Sequence, residues 1–373
     1  MTLRRGPTLA GFAALGLFWG AWAAVLPDVQ EGVGASKGAL GIALFFVAVG
    51  SLPAMLFIAG PAVNRFGSRA VAWACAAFAV AAVLPGLAST LPGLALTLVV
   101  TGAASGILDV GINAQASHIE AATGKRLMPL AHGLYSTGVL AGAVAAGLAR
   151  AAGAGRESIL LAVAVLIGVT AVVLGRGTTG ERPLESARSG RARLTRFLLV
   201  IGLIGAAAFV VEGGIESWSA IFLERQLDAE PAVSGLGPGV FGASMAAGRF
   251  FGQAATRVSY RGLLAGGALA AAVGCVVVAA SPVAAVALLG FAIAGGGISL
   301  NAPVIFGAAG RRRHDPAGSV ATVTTLAYLG FFVGPPLVGG LAQAATLRAA
   351  FAALAVIAAA VAAAATRLRL DDP

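Results

Sequence analysis

The chain has 373 residues, of which 58% are hydrophobic and only 11% are charged. A water-soluble protein of this length cannot bury so much apolar surface, so the composition excludes an ordinary soluble domain and favours a bilayer as the solvent. The net charge of +10 is typical of nucleic-acid-binding proteins, but no nucleic-acid partner is expected, because the basic residues follow a membrane topology.

Twelve long apolar runs follow one another along the chain. They are rich in Ala, Leu, Val and Gly and do not alternate with polar residues, which favours transmembrane helices over barrel strands. The first run is interpreted as an uncleaved span, although its composition also resembles a signal peptide. The runs lie near residues 8–27, 38–59, 70–90, 92–117, 128–149, 157–175, 197–222, 235–256, 262–280, 282–305, 319–343 and 347–366.

The pattern predicts an all-α membrane protein built from two halves. A six-helix bundle is expected over residues 1–175, a polar, Arg-rich cytoplasmic linker over 176–196, and a second six-helix bundle over 197–373. If the N-terminus is cytoplasmic, most Lys and Arg residues, including Arg4, Arg5 and the linker arginines, fall on the cytoplasmic side. This asymmetry predicts a multi-pass membrane protein with both termini in the cytoplasm. The high content of Ala, Gly and Arg is typical of bacterial proteins from G/C-rich genomes, so the expected location is the plasma (inner) membrane.

The two halves share spaced residues, as expected for pseudo-symmetric bundles. The spacing G-x4-R-x3-R after the second span recurs 192 residues later, after the eighth, and Tyr135 of the fifth span recurs 193 residues later as Tyr328 of the eleventh. Parallel repeats of this kind are typical of secondary transporters. The residues of the first spacing are Gly60, Arg65, Arg69, Gly252, Arg257 and Arg261.

Asp109 lies near the middle of the fourth span, with Asn113 one turn further along the same face. A carboxylate in the bilayer core is costly and persists where it faces a cavity or a partner. We interpret Asp109 as a proton carrier or substrate ligand and Asn113 as a substrate-binding residue. The alternative is a structural hydrogen bond to a neighbouring helix.

Glu212 and Glu216 share one face of the seventh span, with Trp218 close by. Two nearby carboxylates in a medium of low dielectric constant resist ionising together, so the pair is a second candidate for proton coupling. Trp218 is a candidate for substrate binding. Alternatively, Glu216 lies near the outer membrane surface and is simply solvated.

Further substrate-binding candidates are polar or aromatic residues within spans. His132 and Tyr135 share a face of the fifth span, and Trp19 lies in the middle of the first. Asn301, in the tenth span, follows Asp109 by 192 residues and is its uncharged counterpart in the second half. Packing histidines and interfacial tryptophans are the ordinary alternatives for such positions.

The segment Gly60-Pro-Ala-Val-Asn-Arg-Phe-Gly-Ser-Arg69 resembles the G-x-x-x-D-R-x-G-x-R signature of the Major Facilitator Superfamily, a loop between spans two and three. The resemblance implies a cytoplasmic gate formed by Gly60, Asn64, Arg65, Gly67 and Arg69. Asn64 replaces the family's Asp, which removes a charge from that gate. Glu120, at the cytoplasmic end of the fourth span, is expected to pair with Arg65 or Arg69.

Residues 108–113, with Leu127 to Gly138, are similar to the L-fucose–proton symporter branch of that superfamily. The resemblance implies that Asp109 and Asn113 take part in proton coupling. The branch also has an acid in its first span, and the corresponding stretch here, Trp19-Gly-Ala-Trp22, has none. Sugar specificity is therefore not carried over.

These observations predict a monomeric secondary active transporter that works by alternating access, with a small molecule and protons as partners. Uptake of a sugar-like or other polar solute is the first hypothesis. The alternatives are proton-driven efflux of drug-like compounds or metabolites and, more remotely, a membrane sensor that does not transport. No enzyme activity, cofactor or metal is expected, since the sequence has no phosphate-binding loop, nucleophile elbow or Cys/His cluster.

Overall fold

A computed structural model describes residues 5–124, 127–176, 194–252, 258–311 and 315–368. Arg4, Arg257 and most of the predicted linker, residues 177–193, lie outside these ranges. The described ranges are helical apart from short connections and contain no strand. The elements are α1 (Arg5–Gly32), α2 (Lys37–Pro53), a π-helical turn (Ala54–Ala59), α3 (Gly60–Phe66), α4 (Ser68–Leu87), α5 (Leu91–Thr123), α6 (Met128–Ala151), α7 (Arg156–Gly175), α8 (Arg196–Leu227), α9 (Pro231–Ser234), α10 (Leu236–Gly252), α11 (Tyr260–Ala280), α12 (Ala284–Ile298), α13 (Asn301–Gly310), α14 (Pro316–Ala344) and α15 (Leu347–Ala365).

Within the described ranges, eleven helical segments are long and apolar enough to cross a membrane. The remaining predicted span corresponds to α10, which has 17 residues. Large apolar side chains such as Phe57, Val80 and Val356 are at least 70% exposed, as expected of surfaces that contact lipid. The predicted all-α membrane fold is confirmed.

The signature segment differs from the predicted loop, because the second span continues as a helix through the π-turn and α3 to Phe66. Only Gly67 separates α3 from α4. Its φ of 57° and ψ of −136° lie in a region that glycine adopts without steric cost. The connection between the second and third spans is therefore a single glycine.

The tenth span also differs from expectation, because it is two helices. α12 ends at Ile298 and α13 begins at Asn301. Its counterpart in the first half, α5, is unbroken over 33 residues. The two halves therefore differ in helix continuity at Asn301, the position that matches Asp109.

Several helices begin at a hydroxyl side chain that accepts a backbone N–H of the first turn. Ser36 accepts the N–H of Ala39 at 3.2 Å, and Thr90 accepts that of Gly93 at 3.2 Å. Thr195, Ser259 and Thr346 cap α8, α11 and α15 in the same way. Such caps satisfy backbone donors that the helix itself cannot, and they set the lengths of these spans.

The helices form two compact units. One comprises the described residues of Met1–Ala187 together with Glu230–Gly239, and the other comprises those of Arg188–Ala229 and Val240–Pro373. The segment Glu230–Gly239, which follows the seventh span, thus belongs to the N-terminal unit. Equivalent helices pack together in each unit. In the N-terminal unit the pairs are α1–α6, α4–α7 and α4–α5. The corresponding pairs in the C-terminal unit are α8–α14, α11–α15 and α11–α12.

Glycines allow the backbones of the most closely packed pairs to touch. A Cβ on Gly138 or Gly142 of α6 would lie 2.3 or 2.1 Å from a carbonyl oxygen of α1. Gly330 and Gly334 of α14, 192 residues later, stand in the same relation to α8, with distances of 1.9 and 2.6 Å. Small residues are the usual means of close helix packing in membranes, where burial of apolar surface brings no advantage.

Candidate functional site

Asp109 lies in the middle of α5 and is half-buried. The side-chain amide of Asn113 donates to the Asp109 carboxylate at 3.0 Å and to the Asp109 carbonyl at 2.9 Å. The two predicted residues therefore form one polar unit on a single helix. A carboxylate at the bilayer centre costs about 2.5–3.5 kcal/mol on insertion scales, and a donated hydrogen bond offsets part of this cost.

A second polar group of the N-terminal unit joins three helices near the signature segment. Thr8 of α1 donates to Gln115 of α5 at 3.0 Å, and Gln115 donates to Ser68 of α4 at 3.0 Å. Ser68 is buried and directly follows Gly67. Because each partner lies on a different helix, this chain of hydrogen bonds fixes the single-glycine connection against α1 and α5.

The other predicted residues of the first half are dispersed. His132 is exposed and its ring lies edge-on to Phe12, with centroids 5.3 Å apart. Tyr135 is half-buried, and its carbonyl faces Gly16. Trp19 is half-buried and packs edge-on against Phe18 at 5.1 Å. Each retains some accessible surface that a solute can contact.

In the C-terminal unit, Glu212 of α8 pairs with Arg249 of α10, a residue for which the sequence indicated no role. Glu212 Oε1 lies 3.8 Å from Arg249 Nη2, and the two side chains are 13% and 33% exposed. Arg249 Nε also donates to the carbonyl of Ser299 at 3.4 Å. Glu216 lies one turn further along α8 and is half-buried. Charged side chains of α8 and α10 therefore meet beside the break between α12 and α13.

Trp218 and Asn301 are the buried members of the predicted substrate-binding set. Trp218 has no exposed surface, and its indole donates to the carbonyl of Pro335 at 3.0 Å, which joins α8 to α14. Asn301 is 2% exposed, and its Oδ1 has no hydrogen-bond partner among the described residues. In this conformation Trp218 packs between helices, whereas Asn301 keeps an unsatisfied acceptor beside the break in the tenth span.

The gate residues lie around the end of α3. Gly60, Asn64 and Arg65 belong to α3, and Arg69 is an exposed residue in the first turn of α4. Arg65 lies over the ring of Phe66, 5.4 Å from its centroid.

Glu120, predicted to pair with Arg65 or Arg69, accepts the backbone N–H of Met128 at 2.9 Å and that of Leu127. It therefore caps the N-terminus of α6. A carboxylate is favourable there because of the helix dipole.

Arg150, for which the sequence indicated no role, is almost fully buried in the N-terminal unit. Its guanidinium donates to both carboxylate oxygens of Asp28, to the carbonyl of Ala24 at 3.0 Å and to the hydroxyl of Ser234 at 3.2 Å. Arg156 similarly donates to the carbonyls of Gly86 and Asp28, at 2.9 and 2.8 Å. Both arginines therefore act in packing.

A cavity of about 700 Å³ opens between α4 and α7. Arg69 and Trp73 line it together with Ala, Gly and Val residues, and Trp73 is 57% exposed. The predicted proton-coupling and substrate-binding residues do not line this cavity. It is therefore separate from the candidate site.

The comparisons with known proteins agree with this architecture. The family model of the Major Facilitator Superfamily matches residues 8–328. An uncharacterised MFS-type transporter of Yersinia pestis is 33% identical over 359 residues, which covers 94% of this chain and 92% of the relative. The membrane protein MosC of Rhizobium meliloti is 31% identical over 338 residues, with 88% and 81% covered.

Solved structures share the fold at low identity. The nucleoside transporter NupG, as a point mutant, gives a TM-score of 0.79 at 12% identity, with 98% of this chain and 99% of that chain covered. The Escherichia coli fucose:proton symporter gives a TM-score of 0.60 at 16% identity, with 96% and 97% covered. Likeness at this level supports the fold alone, so the narrower fucose-branch resemblance stays a prediction.

Proposed function

This chain belongs to the Major Facilitator Superfamily and is a multi-pass secondary transporter, not an enzyme, and we propose that it takes up a sugar-like or other polar solute together with protons. The observation that carries the proposal is the hydrogen-bonded pair of Asp109 and Asn113 in the middle of α5. An ionisable residue within a membrane span is by default a functional one. The proposal also places both termini in the cytoplasm and treats the transporter as a monomer of two six-helix halves.

The pair suits proton coupling because its two protonation states make different hydrogen bonds. Ionised Asp109 can only accept hydrogen bonds, such as the one from the Asn113 amide. Protonated Asp109 gains an O–H donor, which can turn to a solute hydroxyl or to another helix. A ligand biases two conformations only if it binds them differently, and a proton on Asp109 changes what this face of α5 can bind.

The driving force is sufficient for accumulation of a neutral solute. One proton that crosses 100 mV releases about 2.3 kcal/mol, and each tenfold gradient requires about 1.4 kcal/mol. One proton per solute therefore supports a gradient of roughly 40-fold.

The proposal also includes a cytoplasmic gate between the second and fourth spans. Its residues are Gly60, Asn64, Arg65, Gly67, Arg69 and Glu120.

Efflux of drug-like compounds is the second candidate, favoured by an aromatic cluster in the C-terminal unit. The rings of Phe306, Tyr328 and Phe331 lie 5.8 to 6.4 Å from that of Phe209. Phe306, Tyr328 and Phe331 are only half-buried. Exposed aromatic faces suit flat, apolar solutes.

The test is solute-dependent proton flux in proteoliposomes, screened with pools of sugars and pools of aromatic drugs. We expect a sugar pool to move protons inward with wild-type protein and Asp109→Asn to abolish the proton movement. Glu31→Gln, at the exposed end of α1, is the matched acid-to-amide control and should behave as wild type. Proton movement with the drug pool alone supports efflux. Solute binding without flux would support the sensor hypothesis and contradict transport.

A further inference from the structure

Arg249 is a cation within a membrane span that is poorly satisfied by its own protein. Its polar contacts among the described residues are Glu212 at 3.8 Å and the Ser299 carbonyl at 3.4 Å. Charge-assisted hydrogen bonds of arginine are ordinarily about 2.7–2.9 Å long, and a guanidinium carries five donors. A third of the side chain is exposed, so donors remain available for another group.

The carbonyl that Arg249 contacts lies at the break in the tenth span. The tenth span is interrupted between Ile298 and Asn301, and interrupted helices are where transporters commonly hold substrates and ions. The Oδ1 atom of Asn301, beside this break, is buried and lacks a hydrogen-bond partner among the described residues. A buried acceptor without a partner is costly, and this one lies beside Gly267 of α11.

Resting on the proposed transport function, we propose that the solute carries a carboxylate, as a sugar acid does, and that this carboxylate replaces Glu212 at Arg249 while Glu212 takes up a proton. The guanidinium fork matches a carboxylate in geometry and charge. Before the exchange Arg249 is paired with ionised Glu212. Afterwards it is paired with the solute carboxylate, and Glu212 is neutral. The charge of the pair is unchanged.

The groups that face Glu212 define the pH response of this exchange. Arg249 faces it from α10, and Glu216 lies one turn away on α8 itself. From the broken span, the Ser299 carbonyl accepts from Arg249. From α14, the ring of Tyr328 lies 5.8 Å from that of Phe209, three residues before Glu212 on α8. Arg249 is the cation among these groups, so the solute carboxylate binds at Arg249. Glu216 acts on Glu212 only through its charge.

The consequence is electrically silent transport. The coupling assigned to Asp109 and the exchange at Glu212 use one and the same proton per solute. One carboxylate and one proton therefore cross together, so no net charge moves and the membrane potential does no work on the step. A pH gradient drives accumulation, whereas a potassium diffusion potential has no effect. A neutral sugar that moves with a proton would respond to both, which separates the two solute classes.

The experiment uses full-length protein in liposomes with three matched pools: sugar acids (glucuronate, gluconate, galacturonate), the corresponding neutral sugars and the corresponding amino sugars. We expect uptake from the acid pool, driven by an imposed pH gradient and unchanged by the potassium potential. Arg249→Lys should raise the half-saturating concentration at least tenfold. Arg225→Lys, at the exposed C-terminal turn of α8, is the matched control and should leave it unchanged.

Glu212→Gln separates binding from coupling. We expect this variant to exchange labelled for unlabelled sugar acid at the wild-type rate but to lose accumulation under a pH gradient. Uptake from the neutral or amino-sugar pool but not the acid pool overturns the inference and leaves secondary transport standing. The absence of uptake from all three pools, potential-driven uptake of the acid, or an unaltered Arg249→Lys also overturns it. If Arg249→Lys does not fold, Glu212→Gln and the response to potential still decide.

Discussion

Arg150 and Asp28 join α6 to α1 through two parallel hydrogen bonds, one of which runs from Nε to Oδ2 at 2.6 Å. The Arg150 side chain is 3% exposed and that of Asp28 is 34% exposed. The same guanidinium holds the hydroxyl of Ser234. One arginine thereby ties the two helices and the segment Glu230–Gly239 into a single unit.

Removal of the carboxylate from this arrangement should destabilise the protein. Asp28→Asn leaves the buried guanidinium of Arg150 without a counter-charge, and we expect a loss of about 2–3 kcal/mol of unfolding free energy. The partial exposure of Asp28 keeps the loss below that of a fully buried pair. Thermal unfolding in detergent measures it, with Glu31→Gln as the exposed control. Equal unfolding temperatures for Asp28→Asn and wild type would contradict the assignment.

Two glycines of α14 offer a matched test of backbone contact. A Cβ at Gly330 would lie 1.9 Å from the Ala206 carbonyl, whereas one at Gly340 would meet no atom of the described residues within 4 Å. We expect Gly330→Ala to prevent folding or to lower the melting temperature strongly, because α8 must move away. Gly340→Ala should be neutral or slightly stabilising, since alanine favours helix. Size-exclusion profiles and melting curves of the two variants show whether the difference exists.

The connection between α3 and α4 should be intolerant of any side chain. Gly67→Ala forces a Cβ into a backbone conformation that only glycine adopts readily, at a cost of about 1–3 kcal/mol. It should also disturb the Thr8–Gln115–Ser68 hydrogen bonds and slow transport. Gly175→Ala, where a Cβ would make only an ordinary 3.9 Å contact, is the control. Comparable stability and transport in both variants would show that the conformation is not required.

Glu120 allows capping and gating to be separated. Glu120→Gln keeps an oxygen that accepts the N–H groups of Leu127 and Met128, so we expect it to retain stability, whereas Glu120→Ala should lose about 0.5–2 kcal/mol. The predicted latch with Arg69 requires a coupling energy of about 0.5 kcal/mol or more in a double-mutant cycle with Arg69→Gln. Additive effects on the transport rate would exclude the latch and leave the cap.

The sequence predicted the spans well because hydrophobic length is a local property. It also located Asp109 and Asn113, since residues four apart on a helix share a face. It missed the partnership of Arg150 with Asp28, 122 residues apart, and that of Arg249 with Glu212, because the rotation of each helix about its axis decides such pairs. It also missed the break after Ile298, since glycine-rich stretches fit both continuous and interrupted helices.

The single-glycine connection shows the same limit. Gly60 to Arg69 carries proline, glycine and charged residues, which are ordinary loop signals, yet the chain stays helical to Phe66. The π-turn at Ala54–Ala59 lets the second span extend beyond its apolar run. The residue types indicated that a helix ends in this segment, but only the backbone hydrogen bonds show that it ends at Phe66.

The membership of Glu230–Gly239 in the N-terminal unit means that the folding units are not consecutive lengths of polypeptide. A gene split at the linker would give a first fragment in which Arg150 lacks Ser234 and Gly147 lacks its neighbour Gly235. The second fragment would carry the segment Glu230–Gly239, whose packing partners belong to the first fragment. Synthesis therefore completes the first unit only after the ribosome has passed residue 239, so early insertion of six spans leaves an unfinished body that the later chain must close.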